Sequence, residues 1–78
     1  MPQLTLYSTS WCPYCVKVLD FMKQNHIVLP LKDRDNPVIR QELIKIGGKP
    51  QVPCLVIDGK AMYESEDIIQ WLKENWKK

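Results

Sequence analysis

The sequence predicts an α/β domain: a four-stranded mixed sheet covered by three helices. Three observations predict it. Short β-forming runs alternate with apolar residues at helical spacing between Leu4 and Trp76, in the order β-α-β-α-β-β-α. A Cys12-Pro13-Tyr14-Cys15 stretch stands where the first strand gives way to the first helix. Asp58-Gly59 is a two-residue hairpin signal that pairs the last two strands. The first two strands then run parallel through a right-handed helical crossover, and the last two run antiparallel.

Leu4 to Tyr7 alternates β-formers and reads as the first strand, and Ser8, Thr9, Ser10 and Trp11 form a polar turn. From Pro13 to about Asn25, Cys15, Val18, Leu19 and Met22 make an apolar stripe at helical period. Ile27 to Leu31 is a second strand, placed at a sheet edge because Pro30 cannot donate to a ladder. Asn36 caps a second helix with Pro37 in its first turn; Ile39, Leu43 and Ile46 follow and Gly47-Gly48 stops it. Val52 to Ile57 is the third strand and Lys60 to Tyr63 the fourth. Ser65 caps the last helix, with Glu66 and Asp67 in its first turn and Ile69, Leu72 and Trp76 on one face.

Seventy-eight residues make one domain, and 45% hydrophobic residues are enough for a core without disulfide support. A net charge of +2, scattered among acids, gives no nucleic-acid footprint. No apolar run approaches a membrane span, and Met1 to Leu6 lacks the regions of a signal peptide. Three cysteines are an awkward odd number outside the cell and ordinary in a reducing cytosol, so a cytoplasmic location is expected.

The two cysteines of the motif carry the chemistry. Pro13 suits a first helical turn, where its missing N–H costs nothing. Cys12 then sits at the helix N-terminus, where unpaired N–H groups favour a thiolate and lower a thiol pKa from about 8.5 into roughly 3.5–7.5. Cys15, one turn on, is near enough to close a disulfide behind it. A zinc site would need a second ligand pair, and the only candidates, His26 and Cys54, have no metal-ligand spacing. Cys54 reads as a buried, inert apolar residue. His26 gets no function.

C-P-Y-C after strand one, Val52-Pro53 before strand three and an acidic-serine helix start near the end resemble the glutaredoxins of the thioredoxin superfamily, from about Leu4 to Trp76. Gln51-Val52-Pro53 and Tyr63-Glu64-Ser65-Glu66-Asp67-Ile68 also look like the N-terminal domain of glutathione transferases, and like bacterial glutaredoxins built on that plan. Those proteins carry a helical second domain; a single domain over 1–78 is expected here.

The resemblance implies a thioredoxin-like fold and a glutathione-dependent thiol–disulfide oxidoreductase. Cys12 would attack disulfides and protein–glutathione mixed disulfides, and Cys15 would resolve protein disulfides. It implies a cis Pro53 that faces the cysteines and turns the Val52 backbone toward glutathione, with Gln51 beside it and Tyr14 packed against the bound thiol. Glu64 would take the γ-glutamyl ammonium, and Ser65 at a helix start would take the carboxylate. Read without the resemblance, Ser65 is an N-cap and Glu64 a surface acid. Glutathione is a co-substrate, and no cofactor and no metal are implied. The expected partners are glutathione and disulfide-bearing or glutathionylated proteins, met by a monomer.

One departure stands out. Many members place a lysine three residues before the first cysteine, where it holds the glycyl carboxylate and acidifies the thiol. Thr9 stands there, and Lys49 and Arg40 are the nearest substitutes. Thr9 favours a rival in which a thioredoxin-type reductase supplies the electrons. An iron–sulfur carrier is disfavoured by the rigid Pro13.

Overall fold

Alternation along β1 (Leu4–Ser8) decides which helices cover each face of the sheet. In the computed structural model, which describes residues 3–9 and 11–76, Leu4 and Leu6 join Val18, Met22, Leu55, Ile68 and Leu72 in one core. That core is closed by α1 (Pro13–Gln24) and later by a third helix, α3 (Ser65–Asn75). Tyr7 faces the other way and joins Leu43, Cys54 and Val56, under α2 (Pro37–Gly47). The remaining strands are β2 (Leu31–Asp33), β3 (Cys54–Ile57) and β4 (Lys60–Met62). The sheet order is β2-β1-β3-β4, with β1 parallel to β2 and the other pairs antiparallel. This is the expected mixed sheet with its three helices.

Local signals explain most boundaries. Asp58 and Gly59 have φ of 49° and 86°, the two positive values that a two-residue type I′ hairpin demands. Asn36 Oδ1 accepts from the Val38 N–H at 2.9 Å and Pro37 opens α2. Gly48 ends that helix at φ 88°, in the left-handed region. The Tyr7 ring is buried, and its hydroxyl donates to Glu42, the carboxylate that Lys32 also approaches.

Several expectations need correction. The run from Ile27 keeps a strand-like alternation, with Ile27 and Leu29 buried and Val28 exposed, but the Ile27 N–H donates back to the Met22 carbonyl at 2.8 Å, and the first bond to β1 is the one Pro30 accepts from the Leu6 N–H at 3.0 Å. Pro30 has no N–H to give, so the ladder proper begins at Leu31. β2 is an edge strand as anticipated, shifted to 31–33. β3 begins at Cys54 rather than Val52. The register that pairs Tyr7 with Cys54 would set Val52 opposite Thr9, and the Thr9 N–H has instead turned to the Cys15 sulfur at 3.5 Å.

The last helix starts one residue earlier than its cap signal suggests. Glu64 is the N-cap, without a side-chain capping bond, and Ser65 is the first helical residue, already buried. The face that packs inward is Ser65, Ile68 and Leu72, with Ile69 and Trp76 at its margin. Ile46 is 37% exposed rather than packed in the core, and β4 stops at Met62. Ser10 lies outside the described residues.

Cys54 allows a test of this packing. Burial pushes its thiol up to about 11, while an unfolded chain holds it near 8.5. Between those values the unfolded chain has released the proton that the native protein keeps, so stability falls as pH rises through that window. The loss amounts to at most about 3 kcal/mol. Urea melts should show Cys54→Ala losing correspondingly less stability than the wild type between about pH 8 and about pH 11. Parallel curves would show that this thiol does not titrate on unfolding.

Candidate active site

Cys12 is the N-cap of α1 and Pro13 its first helical residue, as the motif suggested. Because Pro13 lacks an N–H, the first free donors of the helix are those of Tyr14 and Cys15. The Cys12 sulfur makes no capping hydrogen bond of ordinary geometry, yet these donors still act on it. Desolvation works against the thiolate. The N–H groups of Cys15 and Tyr14, the Cys15 thiol and the Arg34 guanidinium outweigh it, and the Cys12 thiol is held below the usual range.

Cys15 goes the other way. It is fully buried, and that burial raises its thiol, with the Thr9 N–H opposing and Cys12 adding to the rise. One thiol is therefore half-exposed and acidified, and its neighbour is buried and kept protonated. Thr9 is buried too, so it offers no cation and no accessible group where the family lysine was expected.

Beside Tyr14 opens a cleft of about 230 Å³ lined by Tyr14, Gln51, Val52, Pro53, Tyr63, Glu64, Ser65 and Glu66. All six residues expected to bind the substrate line it together. The Val52-Pro53 bond is cis. Since β3 begins at Cys54, Val52 is outside the ladder, and its backbone groups pair with no other described backbone group. Glu64 is exposed at the N-cap of α3 and makes no ion pair among the described residues. Glu66 is bridged to Lys17 at 2.7 Å, an exposed pair that contributes little.

Three contributors were missed from sequence. Tyr63 walls the cleft, and its hydroxyl donates to the Lys49 carbonyl at 3.0 Å. Glu66 was read only as a first-turn acid. Arg34 is the charged side chain whose field reaches Cys12. It escaped notice because β2 was placed too early. With Ser8 opposite Asp33, Arg34 opens the turn after β2 and its N–H reaches the Ser8 carbonyl at 3.0 Å. Of the two cations expected to stand in for the lysine, Lys49 lies over the Tyr63 ring at 4.7 Å, and Arg40 is exposed on α2. Trp11 is exposed and flanks Cys12 rather than closing the core. Among the described residues no three His, Cys, Asp or Glu side chains gather.

A sheet in this order, with a C-x-x-C at the start of its first helix, defines a thioredoxin-like domain. A family model described as Glutaredoxin matches residues 4–62, and the chain belongs to the glutaredoxin family. It is 32% identical over 58 residues to a glutaredoxin of Pseudomonas aeruginosa, covering 73% of this chain and 69% of that one. It is 34% identical over 67 residues to prostaglandin E synthase 2 of Danio rerio, covering 86% of this chain and 17% of that protein. Among solved structures, glutathione transferase Omega 3C from Trametes versicolor matches with a TM-score of 0.79 at 27% identity, over 92% of this chain and 33% of that chain. The chain thus spans about a sixth of the length of the Danio rerio protein and a third of the Trametes versicolor one.

Gly47 provides a test of how the cleft wall is set. It is the last residue of α2, where alanine would ordinarily gain about 1 kcal/mol over glycine. A Cβ there would stand 1.7 Å from the Tyr63 hydroxyl and 3.0 Å from the Ala61 Cβ. Tyr63 would have to leave its bond to Lys49. Gly47→Ala should therefore destabilise by about 1–3 kcal/mol instead, and Tyr63→Ala in the same chain should remove most of that excess in a double-mutant cycle. A stabilised Gly47→Ala would show that the wall yields freely.

Proposed function

We propose that the protein is a glutathione-dependent thiol–disulfide oxidoreductase that reduces protein disulfides and protein–glutathione mixed disulfides. The observation that carries this reading is the pair of thiols pushed in opposite directions at the start of α1, one step from a cleft that suits a γ-glutamyl group. Cys12 thiolate attacks a disulfide sulfur in line, because the thiolate and not the thiol is the nucleophile. With a glutathionylated protein, the protein thiolate leaves and glutathione stays bonded to Cys12. A second glutathione thiolate then attacks the glutathione sulfur, releasing glutathione disulfide and the Cys12 thiolate.

With a protein disulfide, one substrate sulfur stays on Cys12 and the other leaves as a thiolate. Cys15 gives up its proton and attacks the Cys12 sulfur. The bond to the substrate breaks, and a Cys12–Cys15 disulfide remains for two glutathiones to reduce. The cleft binds glutathione by its chemistry. The free N–H groups of α3 and the Ser65 hydroxyl take the γ-glutamyl carboxylate, and Glu64 takes the ammonium. The Val52 backbone groups, which pair with no other described backbone group, pair with the peptide as a strand would. The glutathione transferase of Trametes versicolor, whose fold this chain shares, lends the substrate further support.

Two sets of variants test the reading. Cys12→Ser should abolish all exchange. Cys15→Ser should keep deglutathionylation and lose reduction of disulfides that need a resolving thiol; equal loss in both variants on both substrates would end this division of labour. Glu64→Gln and Ser65→Ala should each raise the KM for glutathione about tenfold, since a hydrogen bond to a charged group is worth about 1.5–3 kcal/mol. Ser65 is not the N-cap, so Ser65→Ala should leave the helix start intact. Unchanged glutathione kinetics, with turnover restored by thioredoxin reductase instead, would transfer the reading to that donor.

A further inference from the structure

Arg34 takes no part in the exchange steps just described, yet its side chain is held against Trp11, the residue before Cys12, and its field reaches the Cys12 thiol. Its N–H donates to the Ser8 carbonyl at 3.0 Å, which anchors the turn after β2 to the last residue of β1. Its guanidinium lies over the Trp11 ring, 5.5 Å from the centroid. Trp11 precedes Cys12 in the chain, and its indole N–H donates to Asp35 Oδ2 at 2.8 Å. Asp35 Oδ1 is in turn 3.9 Å from Arg34 Nη2. Two loops, one before Cys12 and one after β2, are thereby strapped together by a ring, a cation and a carboxylate. Most of the Arg34 side chain is covered, at 22% exposure, so the charge is not free to swing into solvent.

We propose that Arg34, braced by Trp11 and Asp35, is a positioning residue for the Cys12 thiolate. It is a fixed guanidinium supplied by the turn after β2 rather than by the chain segment that carries the cysteine. The inference rests on Cys12 being the nucleophile of the proposed reaction. It does not depend on which thiol reduces the enzyme.

The charges around Cys12 sort by element. On α1 stands the buried Cys15 thiol. On the turn after β2 stand Arg34 and Asp35, the latter occupied by the Trp11 indole. Across the cleft stand Glu64 and Glu66 at the start of α3, and Lys17 of α1 is engaged with Glu66. Arg34 is the cation on the Cys12 side of this set. It stabilises the thiolate whenever the thiol is deprotonated, so removing it must move the onset of reactivity to higher pH.

The test is the pH profile of alkylation by iodoacetamide, a neutral reagent that needs no glutathione site, with the label located at Cys12 by peptide fragmentation. In the wild type the midpoint should fall below about 8.5. Arg34→Gln should raise it by about half to one pH unit, a change of about three- to tenfold in thiolate at a given pH below it. Arg34→Lys keeps the charge and should return most of that shift. Raising salt from about 0.02 M to about 0.5 M should raise the wild-type midpoint toward that of Arg34→Gln, a measurement that requires no variant to fold. A low wild-type midpoint that neither Arg34→Gln nor salt moves overturns the role of Arg34 alone. So does an Arg34→Lys midpoint raised as far as that of Arg34→Gln. A wild-type midpoint already near 8.5 overturns it together with the thiolate reading.

Discussion

Thr9 turns its N–H out of the sheet and toward the Cys15 sulfur, and much else follows from that one departure. β1 would otherwise continue its antiparallel register and pair Thr9 with Val52. With Thr9 gone, β3 starts two residues late, and Val52, on the wall of the cleft, pairs with no described backbone group. The same turn gives the buried Cys15 sulfur a donor that partly offsets the desolvation raising its thiol. A single N–H thus links the buried Cys15 sulfur to the shape of the cleft wall at Val52. The sheet is interrupted where the proposed chemistry needs an edge.

Helix α1 sets much of the difference between the two thiols by position. Cys12 is the N-cap, its carbonyl accepting from the Val16 N–H at 3.0 Å while its side chain stands before the first turn; Cys15 is inside the helix and buried on the same face as Val18 and Met22. Pro13 between them removes a donor that the cap would have had to satisfy and leaves those of Tyr14 and Cys15 for the sulfur. A nucleophile and a resolving thiol differ mainly in thiolate fraction and access. Three residues of spacing at one helix end supply much of both differences here, and the Arg34 guanidinium adds to the first on the Cys12 side.

How much of this was legible in the sequence depended on whether the signal was local. The hairpin at Asp58-Gly59, the Asn36 cap and the Gly48 stop are each made by a few consecutive residues with their own backbone preferences, and all three stand where expected. The C-P-Y-C helix start is local in the same sense. The second strand was misplaced because Ile27 to Leu31 has the right alternation but its pairing depends on β1, which no local pattern reports. Ser65 carried a cap signal, yet its burial beside Ile68 and Leu72 draws it into the helix and moves the cap to Glu64. The cleft residues were found by resemblance, since nothing within Gln51 to Pro53 says that Glu64 lies across from them. Tyr63 against Gly47 is a contact between α2 and the end of β4, and only the fold creates it.

The cation beside Cys12 shows the same division between local and tertiary. A lysine at position 9 would have to leave a site that is now 2% exposed, where Thr9 gives its N–H to the Cys15 sulfur. Burying an ammonium there would cost several kcal/mol unless it were paired. The parallel register offers another route, because Ser8 stands opposite Asp33 and the following residue of each strand arrives at the same carboxyl edge. Arg34 uses that route. Its planar guanidinium can lie flat on Trp11 while its charge acts on the neighbouring sulfur, a geometry that suits arginine better than the point charge of a lysine. A buried threonine at position 9 and an arginine at position 34 are then one arrangement, in which the adjoining strand delivers the charge that the cysteine's own segment has no room to carry.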